Sequence, residues 1–197
     1  MKIVEQSWEW IRKPKIALEI IELAGRTCYK SEGRITKDSS RKFVKRIIKQ
    51  GHTSVLEHAT ASVRFITNRG VTHELVRHRL CSFSQESTRY VKYDGDMEFI
   101  KPVWLNLVNS IWADSMRDAE QKYRGLLCMG WRPEQAREVL PNSLKTEIVV
   151  TTNLREWKHI FDLRCSKAAH PQIRELMISC RKGFREAIPI VFDEDNT

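Results

Sequence analysis

The chain lacks the features of membrane, secreted and multi-domain proteins. It has no apolar run long enough to span a bilayer, and its first five residues, MKIVE, show no signal-peptide pattern. Its five cysteines are odd in number and include no Cys-x-x-Cys pair, which predicts free thiols in a reducing cytoplasm. No repeat or low-complexity linker interrupts it. We therefore expect one domain over residues 1–197, cytoplasmic and without a membrane partner.

Basic side chains are in excess, with 34 Lys and Arg against 25 Asp and Glu and a formal net charge of +9, which suits a protein that binds anions. Arginines concentrate in one lysine-free segment, RHRLCSFSQESTRY, from Arg77 to Tyr90. Arginine binds phosphate with a planar, bidentate geometry. The segment therefore predicts an anion site with more than one contact, and an exposed basic loop is the alternative.

The local pattern predicts how this segment is presented. Alternating apolar residues indicate a strand over Ala59–Thr67, Asn-Arg-Gly at 68–70 indicates a turn, and Thr72 is placed to cap a short helix that runs to about Arg79. On such a helix Arg77 and Arg79 would point roughly 200° apart, at about 100° per residue. The two arginines are therefore expected to contact different ligands, or different parts of one large ligand.

The same segment is close to a zinc-protease motif but does not meet its geometry. His73 and Glu74 begin a sequence similar to His-Glu-x-x-His, but the second histidine, His78, lies five residues after the first rather than four. At helical spacing the two histidines are about 140° apart around the axis. One zinc ion cannot be bound by both, so the spacing excludes a metalloprotease site.

Two further blocks combine polar and basic residues. The first, GHTSVLEH at Gly51–His58, lies between a basic helix and the first strand, and a plain helix-to-strand connection is its alternative interpretation. The second is a strand candidate at Leu144–Thr152 that continues into a helix, and Arg137 precedes it on a short proline-bounded helix. From the residues alone, Arg164 on the later helix is equally consistent with a structural ion pair to Asp162.

Together the three segments resemble the flavin-dependent thymidylate synthases, the ThyX family. The family pattern of Arg-His-Arg, seven residues and Ser corresponds here to Arg77, His78, Arg79 and, after Leu80–Glu86, Ser87. The GHTSVLEH block, the arginine before Val-Leu-Pro and the block TNLREWKHIFDLR occur in the order usual for that family. The resemblance extends from position 26 to about position 189.

The resemblance implies residues for each ligand. For FAD it implies a set drawn from all three segments: Ser54, Arg77, His78, Arg79, Gln85, Asn153, Arg155 and His159. For dUMP it implies residues in and beside the Arg-His-Arg segment together with two later arginines: Glu74, Leu75, Val76, Arg77, Gln85, Glu86, Ser87, Thr88, Arg89, Arg137 and Arg164. Arg164 is the expected catalytic residue, because the arginine of the family's late helix polarises the uracil ring.

The chain departs from the family's pattern at three places. Glu74 stands where many members have a glutamine that contacts the nucleotide, so its carboxylate would either face the uracil N3–H or pair with Arg77. His159 stands at a flavin contact that is often asparagine. His170–Arg174 replaces an aromatic and acidic pair, which leaves the role of that region open.

The reaction implied by the resemblance is the conversion of dUMP to dTMP. 5,10-Methylenetetrahydrofolate donates the carbon, reduced FAD supplies the hydride, and NADPH re-reduces the flavin. No cysteine lies in a recognisable nucleophile motif, and Ser87 has no neighbouring His or Lys to activate it. We therefore expect Ser87 to bind the nucleotide phosphate and Arg164 to stabilise charge on the uracil without covalent catalysis.

The predicted fold is α+β, a single domain with an antiparallel sheet flanked by helices, as in ThyX proteins. Strands are expected at Ala59–Thr67, Met97–Lys101 and Leu144–Thr152, and helices at Pro14–Ala24, Asp38–Gln50, Leu107–Met129, Pro133–Val139, Leu154–Cys165 and Pro171–Ala187. On the long middle helix, Glu120, Lys122 and Arg124 should mark the solvated side, opposite an apolar stripe of Ile111, Met116, Ala119, Tyr123 and Leu127. The resemblance implies a homotetramer with active sites shared between subunits.

A basic nucleic-acid-binding module is the alternative function. The net charge, the arginine segment and nearby aromatics such as Phe83 and Tyr90 favour it. However, no RNP, KH or helix-turn-helix pattern is present, and the later block with Asn153, Arg155 and Arg164 would be unexplained. We therefore expect small anionic ligands and no nucleic acid.

Overall fold

The computed structural model describes residues 1–105 and 110–193. Its strands are β1 (Lys2–Val4), β2 (Ser7–Arg12), β3 (Thr60–Asn68), β4 (Ser82–Gln85), β5 (Glu98–Ile100) and β6 (Lys145–Asn153). Its α-helices are α1 (Ala17–Thr27), α2 (Ser39–Lys49), α3 (Arg69–Leu75), α4 (Ser110–Cys128), α5 (Pro133–Ala136), α6 (Leu154–Arg164), α7 (Pro171–Ala187) and α8 (Pro189–Phe192). Short 3₁₀ turns cover Glu32–Arg34, Thr53–His58 and Arg137–Val139.

Four strands form one sheet in the order β2-β3-β6-β4. Its direction follows from bonds at the two ends of the β3–β6 pair: Leu154 N donates to Ala59 O, whereas Arg69 N donates to Leu144 O. Residue numbers in β6 therefore decrease as those of their partners in β3 increase, which shows that the two strands are antiparallel. The predicted antiparallel sheet is therefore confirmed, and β1 and β5 form a second, parallel pair.

Buried and less buried side chains alternate along β6 and along much of β3, as expected for strands with one face in the core. In β6 the residues at even positions, from Thr146 to Thr152, are buried, and those at odd positions are half-buried. In β3, Ala61, Val63 and Phe65 face the interior. A strand places successive side chains on opposite faces, so this period of two puts β-branched and apolar residues into the core.

The chain divides into two compact units. Unit 1 comprises Met1–Glu9, Arg64–His78 and Phe83–Val149, and unit 2 comprises Trp10–Val63, Arg79–Ser82 and Val150–Thr197. Unit 1 has a core around Met97, Phe99, Met116 and Tyr123. Unit 2 has an aromatic core in which the rings of Trp157, Phe161 and Phe192 lie 4.9, 5.1 and 5.0 Å from that of Phe184. The single domain over residues 1–197 stays a prediction.

Helix α3 differs from the prediction at both ends. Asn68 caps it, with its Oδ1 accepting from Val71 N at 2.8 Å, so the helix begins three residues before the predicted cap Thr72. The Thr72 hydroxyl instead donates to the Arg69 carbonyl inside the helix, at 3.0 Å. Because α3 ends at Leu75, the arginines at 77 and 79 lie beyond it, and the angle predicted between them on a helix was wrong.

Helix α4 also corrects the sequence analysis. Its predicted first residues, 107–109, lie outside the described residues. Glu120 was expected to be solvated but is only 5% exposed, because it binds the Met1 ammonium at 3.0 Å and Arg124 at 2.6 Å. Ile111 was expected in the apolar stripe but is 76% exposed. The buried stripe runs through Ala113, Met116 and Tyr123, with Glu120 included in it as a paired carboxylate.

The remaining helices agree closely with the prediction. Helix α7 has the predicted bounds, α2 is one residue shorter than predicted at each end, and α6 ends one residue earlier than predicted. Helix α1 begins and ends three residues later than predicted, and the segment Pro133–Val139 divides into α5 and a 3₁₀ turn. The short elements β1, β2, β4 and α8 were not predicted. Within the described residues, no helix is both long and apolar enough to cross a membrane.

Candidate functional site

The anion loop, residues 86–91 of unit 1, follows edge strand β4 and is closed by its own backbone. Glu86 N donates to the Glu147 carbonyl at 2.9 Å, which continues the pairing of β4 with β6 by one residue. The Ser87 carbonyl then accepts from Tyr90 N at 3.2 Å, and the Ser87 hydroxyl accepts from Arg89 N at 3.3 Å. These hydrogen bonds hold Ser87 and Arg89 on one tight turn.

Arg137 reaches this loop from a distant part of the sequence. Its Nη1 donates to Thr88 Oγ1 at 3.3 Å, across 49 positions of sequence. Thr88 is 4% exposed, whereas the Arg137 side chain keeps 37% of its surface exposed and lies 3.8 Å from Glu138. The structure thus brings together two segments that the resemblance assigned to dUMP. A half-exposed guanidinium beside a hydroxyl can hold an anion such as a phosphate.

Tyr93 fixes the carboxylate at the start of the loop. Its hydroxyl donates to Glu86 Oε1 at 2.5 Å, and its ring packs edge-on against Tyr123, with centroids 6.0 Å apart. Burial is the main cause that raises the pKa of Tyr93 far above its ordinary value, and the Glu86 carboxylate raises this pKa further. The hydroxyl therefore stays protonated and donates a hydrogen bond. Tyr93 was not among the predicted site residues, although its position three residues after the arginine segment made it a candidate.

Glu134, on α5, is a second residue that the sequence analysis missed. Its carboxylate lies 2.7 Å from Arg132 and 3.9 Å from Arg89, which also lies over the Tyr90 ring at 5.4 Å. The pair between Glu134 and Arg89 is exposed and adds little stability, but it restricts the positions that the Arg89 guanidinium can adopt.

The residues before the loop have mainly structural contacts. The Gln85 amide donates to Thr72 Oγ1 at 2.9 Å and to Thr146 Oγ1 at 3.4 Å, which ties β4 to α3 and β6. Leu75 is buried in the core, so only its backbone is available to a nucleotide. Glu74 is half-buried and Val76 exposed. Their assignment to dUMP stays a prediction.

In the Arg-His-Arg triplet, the three side chains are presented differently. Arg77 and Arg79 are exposed, whereas His78 is buried. His78 N donates to Leu75 O at 3.0 Å, so the triplet starts as a tight turn off the end of α3. The exposed guanidinium groups fit an anionic ligand, and their role stays a prediction.

In unit 2, Asn153 makes the transition from β6 to α6. Its Oδ1 accepts from Glu156 N at 2.9 Å, which is a helix N-cap. Arg155, in the first turn, lies near the positive end of the helix dipole, where a cation is unfavourable without a neighbouring anion. Glu57 supplies one, with a bond to Arg155 Nη1 at 2.5 Å. Because Glu57 lies on the same 3₁₀ turn as exposed Ser54, two predicted blocks come together here.

Helix α6 carries the remaining predicted residues. Arg155 and His159, four positions apart, share one exposed face. Arg164 is the last residue of the helix, half-buried, and lies about 140° around the axis from His159. A cation at a helix C-terminus is favoured by the dipole. Arg164 is thus held away from the face that carries Arg155.

Three of the five cysteines are poor nucleophiles. Burial raises the pKa of Cys81 to about 11, and burial also raises the pKa of Cys165 and Cys180. A thiol, unlike a thiolate, attacks carbon slowly, so these three are unreactive near neutral pH. Cys81 sits on a segment held against the end of β6, where Thr152 Oγ1 donates to the Leu80 carbonyl at 2.8 Å.

Comparison with known sequences identifies the family. The model of the family described as "Thymidylate synthase complementing protein" matches residues 11–190. The flavin-dependent thymidylate synthase of Corynebacterium efficiens is 35% identical over 89% of this chain and 78% of its own length. The one from Geobacter sulfurreducens is 36% identical over 87% and 79%. The chain belongs to this family, which confirms the resemblance found in its motifs.

Solved structures share the fold. A UMP/dUMP methylase, PolB from Streptomyces cacaoi bound with 5-Br dUMP, is similar with a TM-score of 0.83 and 21% identity, covering 98% of this chain and 96% of that one. Thymidylate Synthase X from Helicobacter pylori with FAD and dUMP gives 0.80 and 22%, covering 97% and 98%. The predicted ThyX-like α+β fold is therefore confirmed.

Proposed function

We propose that this protein is a flavin-dependent thymidylate synthase that methylates dUMP to dTMP. The observation that carries the proposal is the contact of Arg137 with Thr88, because it brings a guanidinium group from a distant part of the sequence to a hydroxyl of the anion loop. Family membership with relatives of that name supports it. 5,10-Methylenetetrahydrofolate is the proposed carbon donor and NADPH the proposed reductant.

Ser87, Thr88, Arg89 and Arg137 would hold the dUMP phosphate. The hydroxyls and guanidinium groups are all donors to phosphate oxygens, and the loop is already closed by backbone bonds. Preorganisation of this kind lowers the entropy lost on binding. Ser87 acts here as a ligand, since within the described contacts its hydroxyl accepts from Arg89 N and meets no base.

For FAD, the proposed ligands are the exposed cations of the Arg-His-Arg triplet and the residues around the α6 cap. Arg77, Arg79 and Arg155 offer guanidinium groups suited to its diphosphate, and Ser54 lies on the turn that Arg155 contacts. Asn153, His78, His159 and Gln85 complete the proposed set. When bound, FAD supplies the redox chemistry of the reaction. The protein's residues bind, orient and polarise.

Arg164 is the proposed catalytic residue. Its fixed charge would stabilise negative charge that develops on the uracil, a role that needs no covalent bond to the enzyme. Cys81 is not a nucleophile in this scheme, because its pKa of about 11 keeps it protonated near neutral pH. Replacing any one cysteine by alanine should therefore leave dTMP formation largely intact, as measured by product chromatography, and a dUMP–cysteine adduct by mass spectrometry would contradict this scheme.

The test is direct. The purified protein should carry or take up FAD, with a flavin absorbance band, and should form dTMP from dUMP, methylenetetrahydrofolate and NADPH. A protein that binds dUMP but not FAD would contradict the proposed chemistry. Binding of RNA or DNA at physiological salt, without dTMP formation, would favour the nucleic-acid module instead.

We also propose a cytoplasmic homotetramer with shared active sites. The five free cysteines fit a reducing compartment. Light scattering should give about four times the chain mass of 23.1 kDa. If Ser87 and Arg164 of one site come from different chains, mixing and reassembling the impaired Ser87→Ala and Arg164→Ala variants should restore part of the activity, because some mixed sites receive both native residues. No restoration would show that one chain supplies both Ser87 and Arg164 to a site.

A further inference from the structure

Unit 2 contains a cavity of about 610 Å³ that none of the residues assigned to dUMP or FAD lines. It lies between α1, the turn Glu32–Arg34 and α2. Four cations line it, Arg26, Lys30, Arg34 and Arg46, and no carboxylate does. We call it the basic cavity. Its size suits part of a cofactor-sized ligand.

The charge of the basic cavity is largely uncompensated. Within residues 1–105 and 110–193, Lys30, Arg34 and Arg46 form no ion pair, whereas cations elsewhere commonly do, as Arg64 does with Glu9 at 2.6 Å. Arg26 is paired, at 2.7 Å from Glu22. Unpaired charges of one sign around a concave surface focus the field and raise the local concentration of anions.

Two of the guanidinium groups are held in place without a ligand. Arg26 lies 4.7 Å and Arg46 5.4 Å from the centroid of the Phe43 ring, in cation–π contacts. Phe43 is itself buried, and it packs so close to α1 that a Cβ at Gly25 would lie 2.7 Å from it. The spacing of the two cations is therefore built into the packing of α1 on α2.

The rim of the cavity adds an aromatic surface. Tyr29 is 70% exposed, which leaves its ring open to stacking. The next residue, Lys30, has a φ of 49°, a left-handed conformation that non-glycine residues seldom adopt and that recurs at ligand sites. A ring beside several unpaired cations matches a ligand that joins an aromatic ring to more than one negative charge.

We infer that the basic cavity binds the anionic chain of a ring-bearing co-substrate, through its phosphate or carboxylate groups. Lys30, Arg34 and Arg46 hold the anionic groups, and Tyr29 stacks on a ring. The inference rests on the proposed function, which supplies two compounds of this chemistry: NADPH with its phosphates and a folate with glutamate carboxylates. The experiment separates these sources.

Three variants are compared on FAD-loaded protein with saturating dUMP. Arg34→Glu reverses a charge in the cavity. Lys30→Gly removes one, and glycine tolerates the left-handed backbone there, so this variant should fold at least as well as the wild type. Lys182→Glu, at an exposed position of α7 that does not line the cavity, is the matched charge control.

Tripolyphosphate is the first probe, titrated by calorimetry. Its affinity should fall about tenfold in Arg34→Glu and Lys30→Gly, as expected on loss of a charged hydrogen bond, and should stay unchanged in Lys182→Glu. A fall of the same size in all three variants would show only a general effect of net charge and overturn the inference.

Steady-state kinetics then identify the source. If the cavity binds NADPH, the cavity variants should raise the KM for NADPH about tenfold and that for NADH less, with kcat within twofold. If it binds folate, they should remove the advantage of a tetraglutamate over a monoglutamate donor. No change in tripolyphosphate affinity or in either KM would overturn the inference. FAD content and dUMP affinity, measured on the same samples, report failure of the proposed function separately.

Discussion

At the residue scale, a few contacts decide what the anion loop presents. Thr88 is buried and accepts a hydrogen bond from Arg137, while Glu86 accepts one from the hydroxyl of half-buried Tyr93. The Arg69 guanidinium acts on the same hydroxyl electrostatically, and its Nη1 is buried with no hydrogen-bond partner among the described residues. Such a donor is usually satisfied by water or a ligand.

Tyr93→Phe should loosen the Glu86 carboxylate while leaving the ring packed on Tyr123. A hydrogen bond to a charged group contributes about 1.5–3 kcal/mol, so we expect a rise in the KM for dUMP of about tenfold or more, with FAD content unchanged. The double variant Tyr93→Phe/Glu86→Gln should be no worse than the more damaged single variant, because both remove one bond. Strict additivity would mean that the two side chains act independently.

Arg164→Ala should lower turnover by on the order of 10²-fold or more, as loss of an oxyanion-type donor does. Arg164→Lys should recover only part of this, because a point charge does not reproduce the planar fork. Flavin absorbance and turnover are measured on the same sample. Loss of FAD together with activity would make Arg164 a cofactor-binding or structural residue.

At the element scale, the same asparagine helix cap occurs at the ends of two strands. Both long strands end in an asparagine that caps the next helix: Asn68 after β3, with Val71 N at 2.8 Å, and Asn153 after β6, with Glu156 N at 2.9 Å. Each cap turns the chain from strand to helix within one residue, so the side chains at the start of the helix emerge at the end of the sheet.

Asn153→Ala and Asn68→Ala should each cost about 1 kcal/mol of stability in chemical denaturation, the usual effect of losing an N-cap. Asn153→Asp should retain stability, since aspartate also caps. FAD content distinguishes the roles of the two asparagines: it should fall for both Asn153 variants and stay normal in Asn68→Ala. Normal FAD content in Asn153→Asp would limit Asn153 to a capping role.

Gly25→Ala tests the packing of α1 against α2. An added Cβ would lie 2.7 and 2.8 Å from atoms of the buried Phe43 ring. Overpacking typically costs about 1–3 kcal/mol, which exceeds the gain of at most about 1 kcal/mol from replacing a helical glycine. We expect a net loss of about 1 kcal/mol in urea denaturation. Increased stability would show that Phe43 moves freely.

At the scale of the whole molecule, the net charge of +9 matches the proposed ligands, which are all anionic. Ligands that bind only the native state stabilise it by mass action, by about 2.7 kcal/mol at 100 times Kd. For a chain of this size each kcal/mol is worth roughly 2–4 °C in Tm.

FAD, added to flavin-free protein at 100 times its Kd, should therefore raise Tm by roughly 5–10 °C, measured by calorimetry. Riboflavin, which lacks the diphosphate that the exposed arginines would bind, is the control and should shift Tm far less. Equal shifts with the two compounds would show that the arginines do not contact the diphosphate.

The sequence by itself determined the class of fold, the long elements and the family. The bounds of α7 could be read from Pro171 and its apolar period, and β3 and β6 from alternation, because local periodicity reports burial of one face. The motif RHR-x7-S could be matched because family signatures lie within short stretches. Short strands such as β1 and β4 could not be found, since three or four residues carry too little pattern and depend on partners elsewhere.

Tertiary structure decided the contacts between distant segments. The burial of Glu120 depends on the Met1 ammonium, more than 100 positions away, so helical periodicity placed it wrongly in solvent. The start of α3 depends on Asn68, which a local turn signal also fits. The folded chain brings separate segments together at three places: the contact of Arg137 with Thr88, the Tyr93–Glu86 hydrogen bond and the basic cavity. No single stretch of sequence contains the information that would predict these contacts.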